Sequence, residues 1–419
     1  MKNFKIVTYG CQINEYESEK FREALLSFGY NEVEKDEDAD LILLNSCAVR
    51  EKANLKLLSK VGRIRKLFEK QGHPVSVVTG CVASVKEQAI KRVGEKSIIA
   101  LFKGCESLDD RIKKLRKLLS VTSEKKIPLA KKVFAYVPII YGCNDFCSYC
   151  IVPIAKGRER SRAKEEILEE VNTLIKNGTQ EIVLLGQNIN HYGRDLGYKN
   201  GFIEMLEDVD KTPGLKRLRY LTSYPANFTL SILERMRKLK KLCSHFHLPV
   251  QSGSNKILKS MKRGYTREQY IELIDSVGML FPHASITTDI IVGFPGESEK
   301  DYNETKSLVE YVQFDRSFVA AYSKRPNTPA AVMEEQIDEK EKKKRLNDLL
   351  SLQNAISSKK NRFFIGKTVE VLIESIVGTQ AFGRIPQDKL VIVEGRAARV
   401  GDIIETEIVD ADFIHLRGK

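Results

Sequence analysis

The chain opens on a rhythm of short apolar runs separated by amphipathic stretches. The runs FKIVTYG, LILLNSC and VSVVTGC are strand-like, and residues 15–28, 53–69 and 85–93 repeat apolar side chains at helical spacing. This alternation predicts βαβ units, and so an open parallel sheet. Each of the three runs leads straight into a cysteine: Cys11, Cys47 and Cys81. In open α/β sheets the loops at the strand carboxyl ends converge on one crevice, so these three thiols are expected to meet there.

A polar, lysine-rich stretch, SVTSEKKIPLAKK, reads as a linker and places a boundary near residue 130. Beyond it the runs VFAYVPII, EIVLLGQN, RLRYLTS, HFHLPVQ, ITTDIIVGFP and DRSFVAAYS alternate with helical patterns. These units predict an incomplete (βα)6 barrel whose site lies at the strand carboxyl ends. A charged helix over about 334–360 then leads to the short strands TVEVLIESIV, QAFGRI, LVIVEG, DIIETEIVDA and FIHLRG, the pattern of a small all-β barrel. The expected organisation is therefore an α/β multidomain chain with domains at 1–130, 131–360 and 361–419.

Composition narrows the class. No apolar run approaches the roughly 18 residues that a membrane helix needs, and MKNFKIVTYGCQINEYESEK has no secretory signal, so a cytoplasmic protein without membrane contact is expected. In that reducing compartment eight cysteines read as ligands or catalytic groups rather than disulfides. A net charge of +13 favours a polyanionic partner. Residues 211–241 hold Lys211, Lys216, Arg217, Arg219, Arg235, Arg237, Lys238, Lys240 and Lys241 against Glu234 alone, either a phosphate track or a solvated helix face. From Asn361 onward eight basic residues face nine acidic ones, so RNA contact there is confined to one face, with Arg384, Arg396 and Arg399 as candidates.

The strongest chemical signal is Cys143-Asn-Asp-Phe-Cys147-Ser-Tyr-Cys150, directly after the strand-like VFAYVPII. Three thiolates on one tight loop suit three irons of a 4Fe–4S cube and leave the fourth iron open to a ligand. Zinc competes, but a structural zinc takes four protein ligands and no further His or Cys lies close in sequence. Just downstream, Arg158, Arg160 and Arg162 are placed to meet a phosphate or carboxylate, unless they mark a surface turn. Gly293 and Gly296 allow a backbone to approach a ligand. Gln187, Asn188, Gln251 and Ser252 fall where barrel strands end. His245 and His247 share one strand face and lack a third ligand, which favours a packed pair over a metal site. Cys105 and Cys243 read as ordinary buried thiols.

The cysteine triplet, with Tyr149 before its last member and a βα pattern around it, resembles the radical S-adenosylmethionine (SAM) superfamily. The resemblance implies that SAM binds the open iron and that an electron from the reduced cluster cleaves it to a deoxyadenosyl radical. It makes Cys143, Cys147 and Cys150 catalytic, and Tyr149, Arg158, Arg160, Gln187, Asn188, Gln251, Gly293 and Gly296 candidates for cofactor binding. Across the whole chain, GCQINEYESEK, NSCAVREKA, TGCVAS, YGCNDFCSYCIVPIAKGRERSR, LLGQN, LPVQSGSNKILKSMKRGYTREQY, TTDIIVGFPGE and YSKRPNTPAA are similar to the methylthiotransferases.

That narrower resemblance implies a second 4Fe–4S cluster on Cys11, Cys47 and Cys81, carrying the sulfur to be transferred, and a C-terminal TRAM domain associated with RNA. Val49, Arg50 and Glu51 resemble the MiaB type, which acts on isopentenyladenosine at position 37 of tRNA, in the anticodon stem-loop. One SAM would then methylate the sulfur and a second would supply the radical that takes hydrogen from the adenine. The resemblance further implies an electron donor such as flavodoxin or ferredoxin and a sulfur donor, and a monomer is expected. Alternatives are family members that act on threonylcarbamoyladenosine of tRNA or on an aspartate of a ribosomal protein. From a different class comes a non-catalytic iron–sulfur protein that binds RNA or senses redox state.

Overall fold

In the computed structural model, which describes residues 2–49, 51–128, 130–395 and 398–419, the three cysteine-bearing runs are strands of one sheet. The strands β1 (Asn3–Tyr9), β2 (Asn31–Glu32), β3 (Leu41–Ser46), β4 (Val75–Gly80) and β5 (Ile98–Lys103) are all parallel, in the order β2-β1-β3-β4-β5. Every residue of β3 is buried, which is why it opens on LILL, an apolar run without alternation. Helices Gln12–Ser27 and Leu108–Leu118 cover one face through Phe21, Leu25 and Leu115. Helices Glu51–Gln71 and Glu87–Gly94 cover the other through Leu57, Val61, Ile64 and Ile90. The helix expected over 85–93 is two pieces, Cys81–Val85 and Glu87–Gly94.

The chain divides into two compact units: Met1–Ala130 with Tyr141–Phe146 and Cys150–Arg160, and Lys131–Ile140 with Cys147–Tyr149 and Ser161–Lys419. In the second unit β6 (Phe134–Pro138), β7 (Glu181–Leu185) and β8 (Arg217–Tyr220) form one parallel sheet. A second parallel sheet holds β9 (His245–His247), β10 (Ser285–Val292) and β11 (Arg316–Ala321). A parallel bridge between Leu218 and Leu242 joins the two, giving the six-stranded incomplete barrel that the sequence predicts. Val137, Leu184, Leu218, Phe246, Val250 and Ile290 belong to its main core, which includes Val171, Phe202 and Leu206 of the flanking helices.

The last segment closes into a small barrel of β12 (Thr368–Val377), β13 (Gln380–Arg384), β14 (Leu390–Glu394), β15 (Ile403–Ala411) and β16 (His415–Gly418). The pair β14 and β16 is parallel and the other pairs are antiparallel. Its interior is aliphatic, with Val371, Ile373, Val391, Val393 and Leu416 fully or almost fully buried.

Charged side chains of the six-stranded barrel hold this small one in place. Arg217 donates from Nη1 to the Arg384 carbonyl (2.6 Å) and from Nη2 to Glu370 Oε1 (2.9 Å). Arg219 pairs with Glu181 (3.0 Å) and donates to the Pro386 carbonyl (3.2 Å). Asp315 lies between Lys389 (2.7 Å) and Lys360 (2.6 Å). The basic run thus divides. Arg217 and Arg219 are buried pins on β8, whose four residues are all buried, while Lys216, Arg237, Lys238 and Lys240 remain exposed.

Of the arginines offered for RNA, Arg384 faces Asp388 (3.4 Å) and Glu374 (3.6 Å). Arg399 is exposed, in a turn where its N–H donates to Asp402 (2.8 Å). Arg396 lies outside the described residues, as does Arg50. Among the described residues no helix is long and apolar enough to cross a membrane.

Arg219→Ala leaves Glu181 as an uncompensated buried carboxylate, a loss of about 3–5 kcal/mol. Thermal unfolding and limited proteolysis check this: we expect a lower Tm and faster cleavage between the helix Glu339–Arg362 and β12.

Candidate functional site

The strand order of the first sheet fixes where its cysteines go. With β1 between β2 and β3, the connections diverge and open a crevice at the carboxyl ends of β1 and β3. Cys11 follows β1 after a single glycine, Cys47 follows β3 directly, and Cys81 follows β4 directly. The Cys47 N–H donates to the Tyr9 carbonyl (2.8 Å), and a Cβ built on Gly10 would lie 3.0 Å from the Cys47 Cβ. The Cys11 and Cys47 thiols share a hydrogen bond, and Cys81 interacts electrostatically with both.

Buried amides support this trio. Asn14 Oδ1 accepts from Cys11 Sγ (3.3 Å), and Asn14 Nδ2 donates to Asn45 Oδ1 (2.8 Å), linking the helix after β1 to the end of β3. Gly80, at φ +92°, leaves the space that Asn45 needs: a Cβ there would lie 2.4 Å from Asn45 Oδ1. Donation to Cys11 pushes the Cys47 thiol up, with burial adding to it, and burial pushes Cys81 up. Cys11, which accepts from Cys47, is held below the usual thiol range.

Beneath them lies a charged network that the sequence did not reveal. Glu17 is fully buried and accepts from Lys156 Nζ (2.6 Å) and Arg111 Nη2 (2.8 Å), and Arg111 Nη1 also reaches Thr79 (3.1 Å). Lys156 interacts electrostatically with Cys81 and Cys11. It ends the helix Val152–Lys156, and this helix packs on Cys81–Val85, with Ala155 and Ile151 against Cys81 and the Ser84 hydroxyl donating to the Ala155 carbonyl (3.0 Å).

The triplet loop begins just after β6. Cys143 and Cys147 are buried and Cys150 is half-buried. The Cys143 N–H donates to the Gly157 carbonyl (3.3 Å), while burial, with the Asp145 carboxylate adding to it, pushes the Cys143 thiol well up. On the other side of the loop, Ser148 is tied to the Met261 carbonyl (3.1 Å) and the Ser260 carbonyl (2.7 Å). Cys147 Sγ accepts from Arg263 Nη1 (3.5 Å).

The other nominated residues have separate surroundings. Tyr149 packs with Ile257, Met261, Phe294 and Tyr322. Arg158 stacks 4.3 Å over Phe146, and Arg160 donates to the Cys105 carbonyl (3.0 Å). Gln187 is half-buried after β7 with its Oε1 unpartnered, and Asn188 is buried beside it. Gln251 takes a left-handed φ of +73° and pairs its backbone with β10; for a non-glycine residue this is a strained conformation of the kind that collects at functional sites. Ser252 shares a hydrogen bond with Thr305 (3.2 Å). Gly293 and Gly296 both have positive φ, but the space beside Gly293 is taken by the Lys342 stem and that beside Gly296 by Glu335.

His245 and His247 both bond to Thr287 Oγ1, each at 2.9 Å, so they are a packed pair. Cys243 is a buried thiol, pushed up to about 12 by burial. Cys105, expected to be buried, is exposed, because it lies in the turn after β5 that is closed by the Glu106 N–H on the Lys103 carbonyl.

Among the described residues no three His, Cys, Asp or Glu side chains are grouped to hold a single metal ion. A cubane asks for something different, since each thiolate takes its own iron and the three stand apart. Burial disfavours the thiolates of Cys47, Cys81 and Cys143, and a bound iron would stabilise them.

Comparison with known proteins agrees with this geometry. Residues 137–309 match the radical SAM superfamily and residues 3–102 match the uncharacterized protein family UPF0004. The tRNA-2-methylthio-N(6)-dimethylallyladenosine synthase of Pelotomaculum thermopropionicum is 40% identical, over all of this chain and 97% of the relative. The enzymes of the same name from Carboxydothermus hydrogenoformans and Moorella thermoacetica are 41% and 42% identical, over 99% and 98% of their lengths. The chain belongs to this synthase family.

Solved structures show the same fold at low identity. The radical SAM methyltransferase TsrM of Kitasatospora setae, determined with cobalamin and a 4Fe–4S cluster, superposes with a TM-score of 0.57 at 12% identity, over 79% of this chain and 77% of its own. The cobalamin-dependent radical SAM enzyme OxsB gives 0.51 at 13%, over 82% of this chain and 56% of its own. As a radical SAM enzyme of the synthase family, the chain uses SAM and a 4Fe–4S cluster.

Glu17 carries a testable pH dependence. Burial alone would raise its carboxyl, but Arg111 and Lys156 hold it down at about 2, against 4.5 when free. Its contribution is therefore complete above about pH 4.5 and is lost as pH falls toward 2, about 3 kcal/mol in all. We expect Glu17→Gln to lower Tm at pH 7, and the gap between the variant and the unaltered chain to close as pH falls through 4.5 to 2. A gap that stays constant with pH contradicts the charge account.

Proposed function

We propose that the chain is a tRNA methylthiotransferase that converts isopentenyladenosine at position 37 to its 2-methylthio derivative. The observation that carries this reading is end-to-end similarity, 39–42% identity over 96–99% of the first four relatives, all bearing the same synthase name. Cys143, Cys147 and Cys150 hold the radical SAM cluster, and Cys11, Cys47 and Cys81 hold a second 4Fe–4S cluster that presents the sulfur. When bound, the clusters and SAM supply a carbon radical able to take hydrogen from an unactivated C–H bond, and a methylated sulfur to replace it.

The chain's own residues supply position and charge. The buried Asn14–Asn45 pair sets the spacing of Cys11 and Cys47, and Lys156 places a cation near Cys81 and Cys11, where an anionic sulfur group is favoured. The Val49 N–H donates to Cys47 Sγ (3.3 Å), so the residues that set the MiaB type apart begin at the metal site itself. Tyr149, Arg158, Arg160, Gln187, Asn188, Gln251, Gly293 and Gly296 are assigned to SAM.

In this reading residues 1–130, 131–360 and 361–419 are the methylthiotransferase, radical SAM and TRAM domains. The partners are the anticodon stem-loop of tRNA, a low-potential donor such as flavodoxin or ferredoxin, and a sulfur donor. The enzyme works in the cytoplasm as a monomer.

The test is anaerobic reconstitution with iron and sulfide, incubation with SAM, dithionite and an isopentenyladenosine-containing stem-loop, and mass spectrometry of the digested nucleosides. We expect a mass gain matching SCH3 in place of H, abolished by Cys→Ala at any of the six positions. 5'-Deoxyadenosine formed with an unchanged nucleoside refutes the substrate, and neither product at full iron content refutes the enzyme reading.

A further inference from the structure

Arg263 has a charge without a countercharge. As a residue it is half-buried, but its guanidinium is enclosed, 4.2 Å over the Tyr224 ring and 5.2 Å from that of Tyr265. Its three nitrogens are each committed: Nε to Tyr265 Oη (3.1 Å), Nη2 to the Pro249 carbonyl (2.9 Å) and Nη1 to Cys147 Sγ (3.5 Å). Among the described residues no carboxylate pairs with it, whereas the buried arginines Arg111, Arg217, Arg219 and Arg345 each meet a glutamate. An enclosed cation without a partner is costly to hold, so a fold that keeps one keeps it for an anion. Here the acid-capable groups that meet its charge are the Tyr265 phenol (3.1 Å) and the Cys147 thiol (3.5 Å), and the thiol is the one a cluster would hold as an anion.

The turn that carries Arg263 is registered on the triplet loop. The Arg263 N–H donates to the Leu258 carbonyl (2.8 Å), closing the helix Asn255–Ser260. Two bonds from Ser148, the residue after Cys147, land on Ser260 and Met261 of the same turn. The position of the guanidinium relative to Cys147 is therefore set from both sides.

We propose that Arg263 is a positioning residue for the cluster held by Cys143, Cys147 and Cys150, donating a hydrogen bond to the Cys147 sulfur and offsetting the negative charge that reduction adds. This rests on reading the triplet as cluster ligands. One electron from an external donor adds one negative charge to the cluster, and an N–H···S bond with a nearby fixed cation stabilises the more negative state, raising the potential. A lysine keeps the charge but cannot serve Cys147, Pro249 and Tyr265 from three separate nitrogens in a fixed plane.

The test uses the full chain with Cys11, Cys47 and Cys81 changed to Ala, leaving a single cluster to be titrated with dithionite under EPR detection. In Arg263→Met we expect the reduced-to-oxidised ratio at a fixed potential to fall at least tenfold, a shift of 59 mV for one electron. In Arg263→Lys we expect a smaller shift in the same direction. Unchanged midpoints in both variants at full iron content overturn the proposal.

A measurement on the unsubstituted Arg263 removes dependence on how the variants fold. With nitrogen-15 arginine, the reduced cluster should show a weak nitrogen coupling in pulsed EPR, and its absence also overturns the proposal. The ligand assignment is tested separately by iron content: Cys143→Ala and Cys147→Ala together on this background should abolish the cluster, and retained iron refutes the triplet whatever Arg263 does.

Discussion

One carboxylate organises the first unit. Glu17 draws two cations into the interior, from Arg111, 94 residues away, and from Lys156, 139 residues away. The helix that begins at Cys11, the helix Leu108–Leu118 and the short helix Val152–Lys156 are held by that single buried group. A buried ion pair is a weak source of net stability, yet breaking it on one side is costly, so it specifies which segments lie together. It also explains why the residues after Cys150 cluster with the first unit although the chain entered the second at Lys131.

Both cysteine trios follow from the same backbone constraint. Parallel strands deliver the residues that follow them to one edge of the sheet, so a cysteine placed just after a strand arrives at a shared crevice whatever its distance in sequence. In the first unit three strands each contribute one thiol. After β6 one strand delivers three thiols on a loop of eight residues. In the first arrangement the supporting side chains come from several segments, so a buried amide pair and a buried charge network are needed to fix the spacing. The second is compact enough to be positioned largely by hydrogen bonds to its backbone.

Much of this was legible because it rests on local signals. The βα rhythm, the six barrel strands and all five strands of the small barrel are written as apolar runs between turns, and the cysteines are legible by spacing. Edge elements were not: β2 is two exposed residues, and β5 alternates weakly because it lies at the sheet edge. Nor were the fates of charged residues, since Arg217 and Arg219 are indistinguishable in sequence from the exposed Lys216 beside them. Their burial depends on carbonyls contributed by a barrel more than 150 residues later. Glu17, Lys156, Arg111 and Arg263 were missed for the same reason, although Glu17, Lys156 and Arg263 all lie inside motifs whose family resemblance was plain.

The central claim is that this chain carries two independent iron–sulfur sites, one per cysteine trio. The most direct measurement is iron and sulfide content, with Mössbauer spectra, of the anaerobically reconstituted full chain beside its two triple Cys→Ala variants. The account predicts about eight irons per chain in the unaltered protein and about four in each triple variant, all as cubane clusters. About four irons in the unaltered protein, or one triple variant that loses all iron while the other loses none, contradicts it.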